Sequence, residues 1–188
     1  MKINYLMWQR FVSILLIILF SQPFLAELSF NNAKKEVMRL NIESAVKYFE
    51  LARRLTPFNS NYYFEEANLW NLALQHGDNY KYSAERANKL YLKGLDANPF
   101  EVKNLLSRAV LHREFPQLLE SPANKEEILD WFDYILYWRP SMEIAQYEYI
   151  NTLNKFERKQ EAELKLKEFL RANPNAELLL GLADTNAK

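Results

Sequence analysis

The sequence offers few residues whose type and spacing fit catalysis or metal binding. Its two histidines, His76 and His112, lack a second histidine or an acid at the spacing that metal ligands and acid–base pairs use. The carboxylate pairs Glu65–Glu66 and Glu126–Glu127 are adjacent, and adjacent residues point to different faces of a helix. We therefore interpret the histidines as ordinary turn and helix residues, and the acids as solvated or helix-start charges. No catalytic residue, cofactor or metal is predicted.

The composition narrows the function further. The chain has no cysteine, which excludes disulfides, thiolate catalysis and cysteine metal sites. Only three of its 188 residues are glycine, too few for a turn-rich β protein or a glycine-rich phosphate loop. Basic and acidic residues balance at 24 each, without the basic excess that nucleic-acid binding requires. These exclusions remove the classes of function that depend on cysteine, on glycine-rich phosphate loops or on a basic surface.

Three predicted helices carry a second stripe of residues at steps of three and four. Each stripe lies beside the apolar face of a predicted helix, because these steps follow the helical repeat. The stripes contain Asn61, Phe64, Asn68 and Asn71; Lys103, Leu106, Val110 and Arg113; and Ile144, Tyr147, Asn151 and Asn154. Asparagine amides both donate to and accept from a peptide backbone, and Lys103 and Arg113 are suited to bind a carboxylate. The stripes are a candidate binding surface, although asparagine on a solvated helix face needs no function.

Four prolines mark the ends of the helices that would position these stripes. Each proline ends an amphipathic segment, because it and the residue before it disfavour helical geometry. The prolines are Pro57, Pro99, Pro140 and Pro174, at intervals of 42, 41 and 34 residues. The residues twelve, eight and five positions before them are Ala45, Phe49 and Ala52; Ala87, Tyr91 and Gly94; Ile128, Phe132 and Ile135; and Ala162, Leu166 and Phe169. Such a recurring motif predicts an array of helical pairs that stack on one another.

The predicted fold class is all-α. Hydrophobic periodicity predicts helices over residues 32–55, 60–75, 83–97, 101–114, 125–138, 142–155 and 158–172, and a short turn of helix over 176–182. Ser83 and Asn124 are the expected N-caps, the second at the start of a capping box, and Gly77 is a suitable C-cap. Met38 and Ile42 are expected on the apolar face of the first helix.

Three aromatic residues, Trp131, Tyr134 and Trp138, form a second pattern at steps of three and four. We interpret them as the seam on which the first helix of the fourth pair packs, with Tyr147 and Tyr149 facing it. The alternative is an exposed aromatic patch, which would suit a protein interface. Burial of the three rings would distinguish the two.

The order small, aromatic, small and proline resembles the tetratricopeptide repeat family, whose units are helix–turn–helix pairs of about 34 residues. Ala45-Phe49-Ala52-Pro57 and Ala87-Tyr91-Gly94-Pro99 show the resemblance most clearly. Further matching positions are Tyr63, Ala67 and Trp70 in the second unit and Leu105 and Ala109 in the third. The resemblance covers residues 32–175. It implies an α-solenoid of three to four helical pairs, in which the stripes line a concave groove for a peptide or a partner helix.

Some residues depart from the family pattern. Ile128 and Ile135 replace small residues, and Leu166 and Phe169 reverse the order of sizes. The first two proline intervals are longer than the family's repeat of about 34 residues, which fits long turns within the second and third units. A different all-α bundle, with helices that happen to end in proline, is the alternative fold.

Residues 1–26 have the features of a targeting segment. Lys2 and Arg10 precede the apolar run Phe11–Phe20. A run of this length is typical of a signal-peptide core, whereas a spanning helix needs about 20 apolar residues. A bulky phenylalanine three residues before the expected cleavage site keeps an uncleaved membrane anchor open as the alternative. Both interpretations place residues 27–188, the predicted repeat domain, on the exported side of a membrane.

The sequence therefore predicts an exported, non-enzymatic adaptor of the periplasm, either free or tethered to the inner membrane by residues 11–25. Its expected partner is a peptide or another envelope protein, with no nucleic acid or metal. A second resemblance gives an alternative, since residues 11–175 resemble the repeat tail of O-antigen polymerases and ligases, which implies an accessory role in glycan transfer. A structural spacer that binds only copies of itself is a third interpretation.

Overall fold

The computed structural model describes residues 2–76 and 79–186, and within these ranges all regular secondary structure is helical. The helices are α1 (Lys2–Met38), α2 (Ile42–Leu55), α3 (Ser60–His76), α4 (Tyr80–Ala97), α5 (Val102–Glu114), α6 (Lys125–Trp138), α7 (Glu143–Lys155), α8 (Lys159–Ala172) and α9 (Glu177–Asn186), with a 3₁₀ turn at Pro116–Leu118. The all-α fold class is confirmed. Between α3 and α8, the predicted boundaries lie within three residues of the observed ones.

The helices form four antiparallel pairs that stack side by side. α1 packs against α2, α3 against α4, α5 against α6, and α7 against α8, and each pair contacts the next. α9 packs on α7 and α8 and covers the end of the array. We call α1, α3, α5 and α7 the leading helices, because each opens a pair. This arrangement confirms the predicted α-solenoid, with four pairs.

The antiparallel pairing gives the array two different edges. Turns within pairs lie at one edge, and turns that join one pair to the next lie at the other. The joining turns contain Pro57, Pro99, Pro140 and Pro174, so we call their edge the proline edge. The leading helices α3, α5 and α7 begin at the proline edge, and α1 crosses it.

The recurring positions before each proline fill the core. Those that are buried are Ala45, Phe49, Ala52, Ala87, Tyr91, Gly94, Ile128, Phe132, Ile135, Ala162 and Leu166. Small side chains let two helices approach closely, and a ring fills the space beside them. Gly94 is needed for one such approach, because a β-carbon at this position would lie 2.7 Å from the Asn104 Cγ. In the last unit, where the order of sizes is reversed, Phe169 is only half-buried.

The predicted single helix over residues 32–55 is wrong, because α1 ends at Met38 and α2 begins at Ile42. The turn between them contains neither glycine nor proline, so the sequence lacks the usual stop signal there. Leu40 adopts a positive φ of 60°, and the side chain of Asn41 caps α2. Met38 and Ile42 therefore flank a turn and are exposed, contrary to expectation.

The last pair has the same kind of turn as the first. Glu157 has a φ of 65°, and the Arg158 N–H donates to the Leu153 carbonyl at 2.9 Å. In the first pair, the Asn41 N–H donates in the same way to the Glu36 carbonyl at 2.9 Å. A left-handed residue followed by this hydrogen bond is the Schellman ending of a helix. Both turns use a residue other than glycine at the left-handed position.

The two predicted N-caps have different outcomes. Asn124 caps α6 as predicted, since its side chain accepts a hydrogen bond from the third residue of the helix at 2.9 Å. Asn79, rather than Ser83, caps α4 by accepting from the Tyr82 N–H at 3.2 Å. α4 therefore begins before Ser83, which is buried inside the helix. The predicted C-cap at Gly77 lies outside the described residues.

The predicted aromatic seam on α6 is wrong. Tyr134 and Trp138 are exposed, and Trp131 packs edge-on against a histidine of α5 with ring centroids 5.2 Å apart. The face of α6 toward α7 instead presents Phe132, which stacks on Tyr149 at 5.6 Å. The two faces differ by one residue along the helix, or about 100° of rotation. Spacing alone did not distinguish them.

α1 continues without a break from the predicted targeting segment into the first pair. Phe11, Phe20 and Phe24 are exposed, whereas Ala26 and Phe30 belong to the core of the first pair. Within the described residues, α1 is the one helix long and apolar enough to cross a membrane. A signal sequence near the N-terminus passes the same test.

Candidate partner-binding groove

The leading helices place the predicted stripes along one face of the array. α3 contacts α5, α5 contacts α7, and side chains of α1 and α3 line a common cleft. The residues predicted for the groove are Asn61, Phe64, Asn68, Asn71, Lys103, Arg113, Tyr147, Asn151 and Asn154. They come from neighbouring helices, as a groove requires, but they occupy different environments.

A buried tyrosine organises the centre of this groove. The Tyr91 hydroxyl on α4 donates to the Asn68 Oδ1 at 2.8 Å, and Asn71 and Ser107 lie beside this hydroxyl. Burial raises the pKa of Tyr91 well above its ordinary value, so the hydroxyl is a neutral donor. The Asn68 carbonyl therefore already accepts one hydrogen bond, and its NH₂ group can donate to a partner.

The aromatic residues of the stripes contribute packing more than free surface. Phe64 is half-buried, with its ring centroid 6.4 Å from that of Tyr91. Tyr147 is also half-buried and packs on the core of the third and fourth pairs. Asn151 and Asn154 are half-buried on the same helix as Tyr147. These residues form the wall of the groove.

Arg113 ties two helices together and is not free to bind a carboxylate from a partner. It is 8% exposed, and its Nη1 lies 2.7 Å from the Glu148 Oε2 and 3.0 Å from the Thr152 Oγ1 on α7. Its Nε lies 2.7 Å from the Glu114 Oε1. We call Arg113, Glu114 and Glu148 the basic clamp. Because the guanidinium is already bonded on both sides, the structure corrects the role predicted for Arg113.

Glu114 connects the basic clamp to the surface. The Lys155 Nζ lies 2.5 Å from the Glu114 Oε2. Burial opposes ionisation of Glu114, but the hydrogen bond from Lys155 and the charge of Arg113 outweigh it and hold the pKa below its ordinary value. The carboxylate is therefore ionised at neutral pH, and the basic clamp is complete.

Asn61 and Lys103 lie at the proline edge. Asn61 lines a cleft together with Glu27 of α1. Lys103 lines a second cleft, of about 280 Å³, together with Arg139 in the turn after α6. The structure therefore places these two stripe residues away from the asparagines around Tyr91.

An apolar cleft between α1 and α3 extends the groove beyond the predicted stripes. A cavity of about 220 Å³ is lined by Lys34, Val37, Met38, Phe49, Glu65, Asn68, Leu69 and Leu72. A smaller hollow of about 90 Å³ shares three of these residues and adds Leu40, Ile42 and Ala73. We use the name apolar cleft for Val37, Met38, Leu40, Ile42, Leu69, Leu72 and Ala73. Sequence reasoning missed it because Met38 and Ile42 were assigned to the core of one continuous helix.

Glu66 is a second buried charge centre, between the first and second pairs. It is completely buried, with Arg53 of α2 at 2.7 Å and Arg86 of α4 at 3.5 Å. Burial raises the pKa of Glu66, although the two arginine charges oppose the shift. We call these three residues the acid clamp. The interpretation of Glu66 as a solvated charge is wrong, whereas Glu126 and Glu127 lie exposed in the first turn of α6 as predicted.

His112 is a buried structural residue between the second and third pairs. Its Nδ1 accepts a hydrogen bond from the Ala123 N–H at 2.9 Å, so Nε2 bears the proton and donates to the Asn88 Oδ1 at 2.9 Å. Burial and the charge of Arg108 lower the pKa of His112 to about 4. The neutral imidazole thus joins the long turn before α6 to α4 and α5. The side chain of His76 lies outside the described residues.

Comparison with solved structures identifies the class of fold. A tetratricopeptide repeat protein from Parabacteroides merdae matches 82% of this chain and 56% of its own length, with 16% identity and a TM-score of 0.65. The tetratricopeptide repeat domain of Arabidopsis OM64 matches 70% of this chain and 96% of its own, with 16% identity and a TM-score of 0.54. MamA matches 78% and 77%, with 10% identity and a TM-score of 0.60. The chain spans just over half the length of the first of these proteins.

These likenesses show that the chain has the tetratricopeptide repeat fold, as the sequence resemblance implied. No family model and no curated protein sequence matches the chain. The structural likenesses add no support to the resemblance to O-antigen polymerase and ligase tails.

Proposed function

We propose that the chain is a non-enzymatic interaction scaffold of the cell envelope, held at a membrane by α1. Its leading helices bind a peptide segment of another envelope protein. The observation that carries the proposal is the apolar cleft between α1 and α3. Met38 and Leu72 in this cleft are exposed to water, so a partner that covers them gains about 25 cal/mol for each Å² of apolar surface buried.

The surroundings of the apolar cleft define the chemistry of the bound segment. The cavity of about 220 Å³ accepts a large apolar side chain. Asn68 borders the same cavity, and its amide is suited to bond a peptide group of the segment. Lys34 and Glu65 supply one charge of each sign at the rim. The expected ligand is an internal segment with one apolar anchor between polar residues, since Arg113 is not free to bind a terminal carboxylate.

The buried titratable groups support recognition over catalysis. His112, Glu66 and Arg113 each contact partners on neighbouring helices that hold the array together. In the part of the chain that the structure describes, no group of three or more histidine, aspartate or glutamate residues could hold a metal ion. The contacts of Glu66 and Arg113 hold the leading helices in the arrangement that the proposed recognition needs.

The continuity of α1 supports a membrane tether. Phe11, Ile14, Phe20 and Phe24, which precede Ala26, face outward, and lipid would remove them from water. Ala26 and Phe30 pack in the core of the first pair, so cleavage after Ala26 would remove a core residue from a leading helix. We therefore favour an uncleaved anchor, with the repeat array on the exported side at the membrane surface.

Site-specific photocrosslinking in the native membrane tests the groove. A photoreactive residue replaces Leu72 in the apolar cleft or, as the matched control, Leu164, an exposed leucine of α8. We expect the Leu72 site to crosslink to a segment with an apolar anchor, identified by mass spectrometry. A synthetic peptide of that segment should bind the full chain, and Leu72→Asp should weaken its binding about tenfold, because a charge then replaces an apolar contact.

The control variant Leu164→Asp should leave the affinity of this peptide unchanged. Circular dichroism of both variants checks that the helices are intact. Identical crosslinks from the two sites, or a peptide that binds Leu72→Asp as tightly as the parent chain, would contradict the proposed groove.

A further inference from the structure

The proline edge lies beside the point where α1 leaves its apolar segment. Pro23 and Glu27 of α1 line one cleft with Phe58 and Glu101, which belong to the first two joining turns. The Tyr62 hydroxyl, near the start of α3, donates to the Glu27 Oε2 at 3.1 Å. These contacts hold the beginning of α3 against the end of the apolar segment.

The distance from the apolar segment to this contact is short. Leu25 is exposed and ends the predicted tether of residues 11–25, and Glu27 follows two residues later, which is a rise of about 3 Å along the helix. The interfacial layer of a bilayer, outside its hydrocarbon core, is about 5 to 7 Å thick on each side. If α1 spans a membrane, the first joining turn therefore lies at the depth of the lipid headgroups.

The proline edge presents apolar rings at this depth. Phe58 is 84% exposed and Phe100 is 63% exposed, and each directly follows the proline of its turn. The corresponding residues of the two later turns, which are further from α1 along the array, are Ser141 and Asn175. The apolar residue thus occurs in the two turns closest to the membrane helix.

Two further rings extend this surface toward the third pair. Tyr137 is 78% exposed and Trp138 is 48% exposed, at the end of α6. Trp138 meets Phe100 edge-on with ring centroids 5.5 Å apart. Tyrosine and tryptophan are enriched where a membrane meets water, because each combines an apolar ring with a polar group.

The charges beside these rings also fit a lipid surface. Lys103 and Arg139 line the cleft next to the second and third joining turns, together with the single acid Glu101. Basic side chains at this level attract lipid phosphates. The exposed rings and the basic groups thus lie on the same edge.

We propose that the proline edge of the first three pairs rests on the bilayer that α1 spans, with Phe58, Phe100, Tyr137 and Trp138 in its interfacial layer. This inference rests on the membrane tether of the proposed function. A protein is the competing occupant, but the position of the rings beside the end of the apolar segment favours lipid. The opposite edge of the array lies about 20 Å away along α5 and remains in water.

Single-cysteine labelling of the full chain tests this orientation, because the chain has no cysteine of its own. An environment-sensitive dye is attached at Phe58→Cys, Phe100→Cys or Tyr137→Cys, in vesicles of phosphatidylethanolamine and phosphatidylglycerol with brominated acyl chains. Ser121→Cys, exposed in the turn before α6 at the opposite edge, is the matched control. Ser13→Cys, exposed within the apolar segment, reports on the tether itself.

We expect brominated lipid to quench the dyes at Ser13, Phe58, Phe100 and Tyr137, and to leave the dye at Ser121 unquenched. Quenching at Ser13 alone would overturn the inference while the tether stands. No quenching at Ser13 would overturn the tether and the inference with it. Dyes at Phe58 and Phe100 that lipid leaves unquenched, but that crosslink to protein in native membranes, would assign the edge to a protein partner and overturn the inference.

The substituted residues are exposed, so the labelled chains should keep the helical content of the parent chain. Unlabelled Phe58→Ser with Phe100→Ser supplies a second measurement. In this variant the dye at Tyr137 should become less quenched while the dye at Ser13 is unaffected. Unchanged quenching at Tyr137 would count against a shared membrane-contacting surface.

Discussion

The joints at the two ends of the array bury charges of opposite sign. Between the first and second pairs, Glu66 on α3 lies between two arginines from α2 and α4. Between the third and fourth pairs, Arg113 on α5 lies between Glu114 of the same helix and Glu148 of α7. Each joint therefore has one buried charge with two counter-charges, but the acid clamp and the basic clamp are not interchangeable.

The two clamps also differ in how completely the buried group is bonded. Arg113 has two carboxylates at 2.7 Å and also donates to the Thr152 hydroxyl. Glu66 has one arginine at 2.7 Å and a second at 3.5 Å, and burial raises its pKa. A buried charge specifies its neighbour even where it adds little net stability. We infer that the clamps fix which pair follows which, and that the basic clamp contributes more to stability.

The joint between the second and third pairs has neutral buried groups instead. His112 is uncharged there, and Gly94 allows the Asn104 side chain to lie against α4. This joint depends on steric fit and on hydrogen bonds to the Asn88 Oδ1, which accepts from the neutral His112 at 2.9 Å and from the Arg108 Nε at 3.0 Å. The three joints should therefore lose different amounts of stability when a buried charge is removed, when the pH falls and when a buried side chain is enlarged.

The largest expected effect on the free energy of unfolding comes from removing the buried cation. Arg113→Met should destabilise the chain by about 3 to 5 kcal/mol, because it leaves the mostly buried Glu148 without its partner. Glu66→Gln should cost only about 1 kcal/mol, because the glutamine amide oxygen can still accept a hydrogen bond from Arg53, Arg86 is 39% exposed to water, and a buried carboxylate is removed. Urea unfolding of the full chain in detergent, followed by circular dichroism, measures both.

Lys155→Met is the control for this pair of variants. Lys155 contacts Glu114 on the solvent side of the basic clamp, and exposed ion pairs contribute less than about 1 kcal/mol. Equal losses of stability in Arg113→Met and Glu66→Gln would contradict the proposed difference between the two clamps.

Acid should weaken the middle joint next most strongly. The pKa of His112 is about 4 in the folded chain and near 6.5 when unfolded, so between these values the unfolded chain binds the proton first. Stability that is present above pH 6.5 is therefore lost as the pH falls toward 4, by about 3 kcal/mol. Glu66 has the opposite sign, because its raised pKa makes the folded chain take up its proton first.

Urea midpoints at several pH values, compared between the parent chain and His112→Asn, isolate the histidine. Asparagine does not titrate, so the variant should be less stable at pH 7 and should lose less stability on acidification. Parallel curves for the two chains would show that His112 is not the group responsible. Hydrogen exchange should show α5 and α6 opening at acidic pH before α2 and α3.

A larger side chain at Gly94, in the middle joint, should lower the stability of the chain by less than acid does. Gly94→Ala should cost about 1 to 2 kcal/mol, since overpacking exceeds the gain in helix propensity. In the described structure the Asn104 amide has no hydrogen-bond partner, so its removal sacrifices no hydrogen bond. Adding Asn104→Ala to Gly94→Ala should therefore restore the thermal midpoint. A double variant as unstable as the single one would refute the steric explanation.

Sequence periodicity predicted the repeated core but not the joints between pairs. The positions before each proline repeat locally, and packing within a pair is determined over a few helical turns. Burial of Glu66 depends on Arg53 and Arg86, which come from two other helices. Arg113 is likewise bonded by Glu148, 35 residues further along the chain. Local spacing does not show such partners, so exposed and buried charges looked alike.

The candidate groove depends on the same distinction between local and distant contacts. The structure places Asn68 and Asn71 of the α3 stripe beside Tyr91, since residues at a step of three share one helix face. The apolar cleft was missed because the turn at Leu40 contains no glycine or proline. The left-handed conformation of Leu40 is visible in the backbone of the structure, but nothing in the sequence indicates it.

The smallest expected effect on stability comes from placing glycine at the left-handed positions of the two Schellman turns. A left-handed conformation costs a residue other than glycine about 1 to 2 kcal/mol, partly offset by the greater flexibility of glycine when unfolded. Leu40→Gly and Glu157→Gly should therefore each stabilise the chain by less than about 1 kcal/mol, measured as a rise in the urea midpoint.

The two glycine variants should differ in binding even though they agree in stability. Leu40 lines the apolar cleft, whereas Glu157 lies in the last pair, away from it. Strained residues persist where function requires their side chain. Leu40→Gly should therefore weaken binding of the peptide identified by crosslinking at Leu72, and Glu157→Gly should leave it unchanged. If both variants bind equally well, Leu40 is only a tolerated residue in a turn, and the part of the apolar cleft that binds the peptide does not include it.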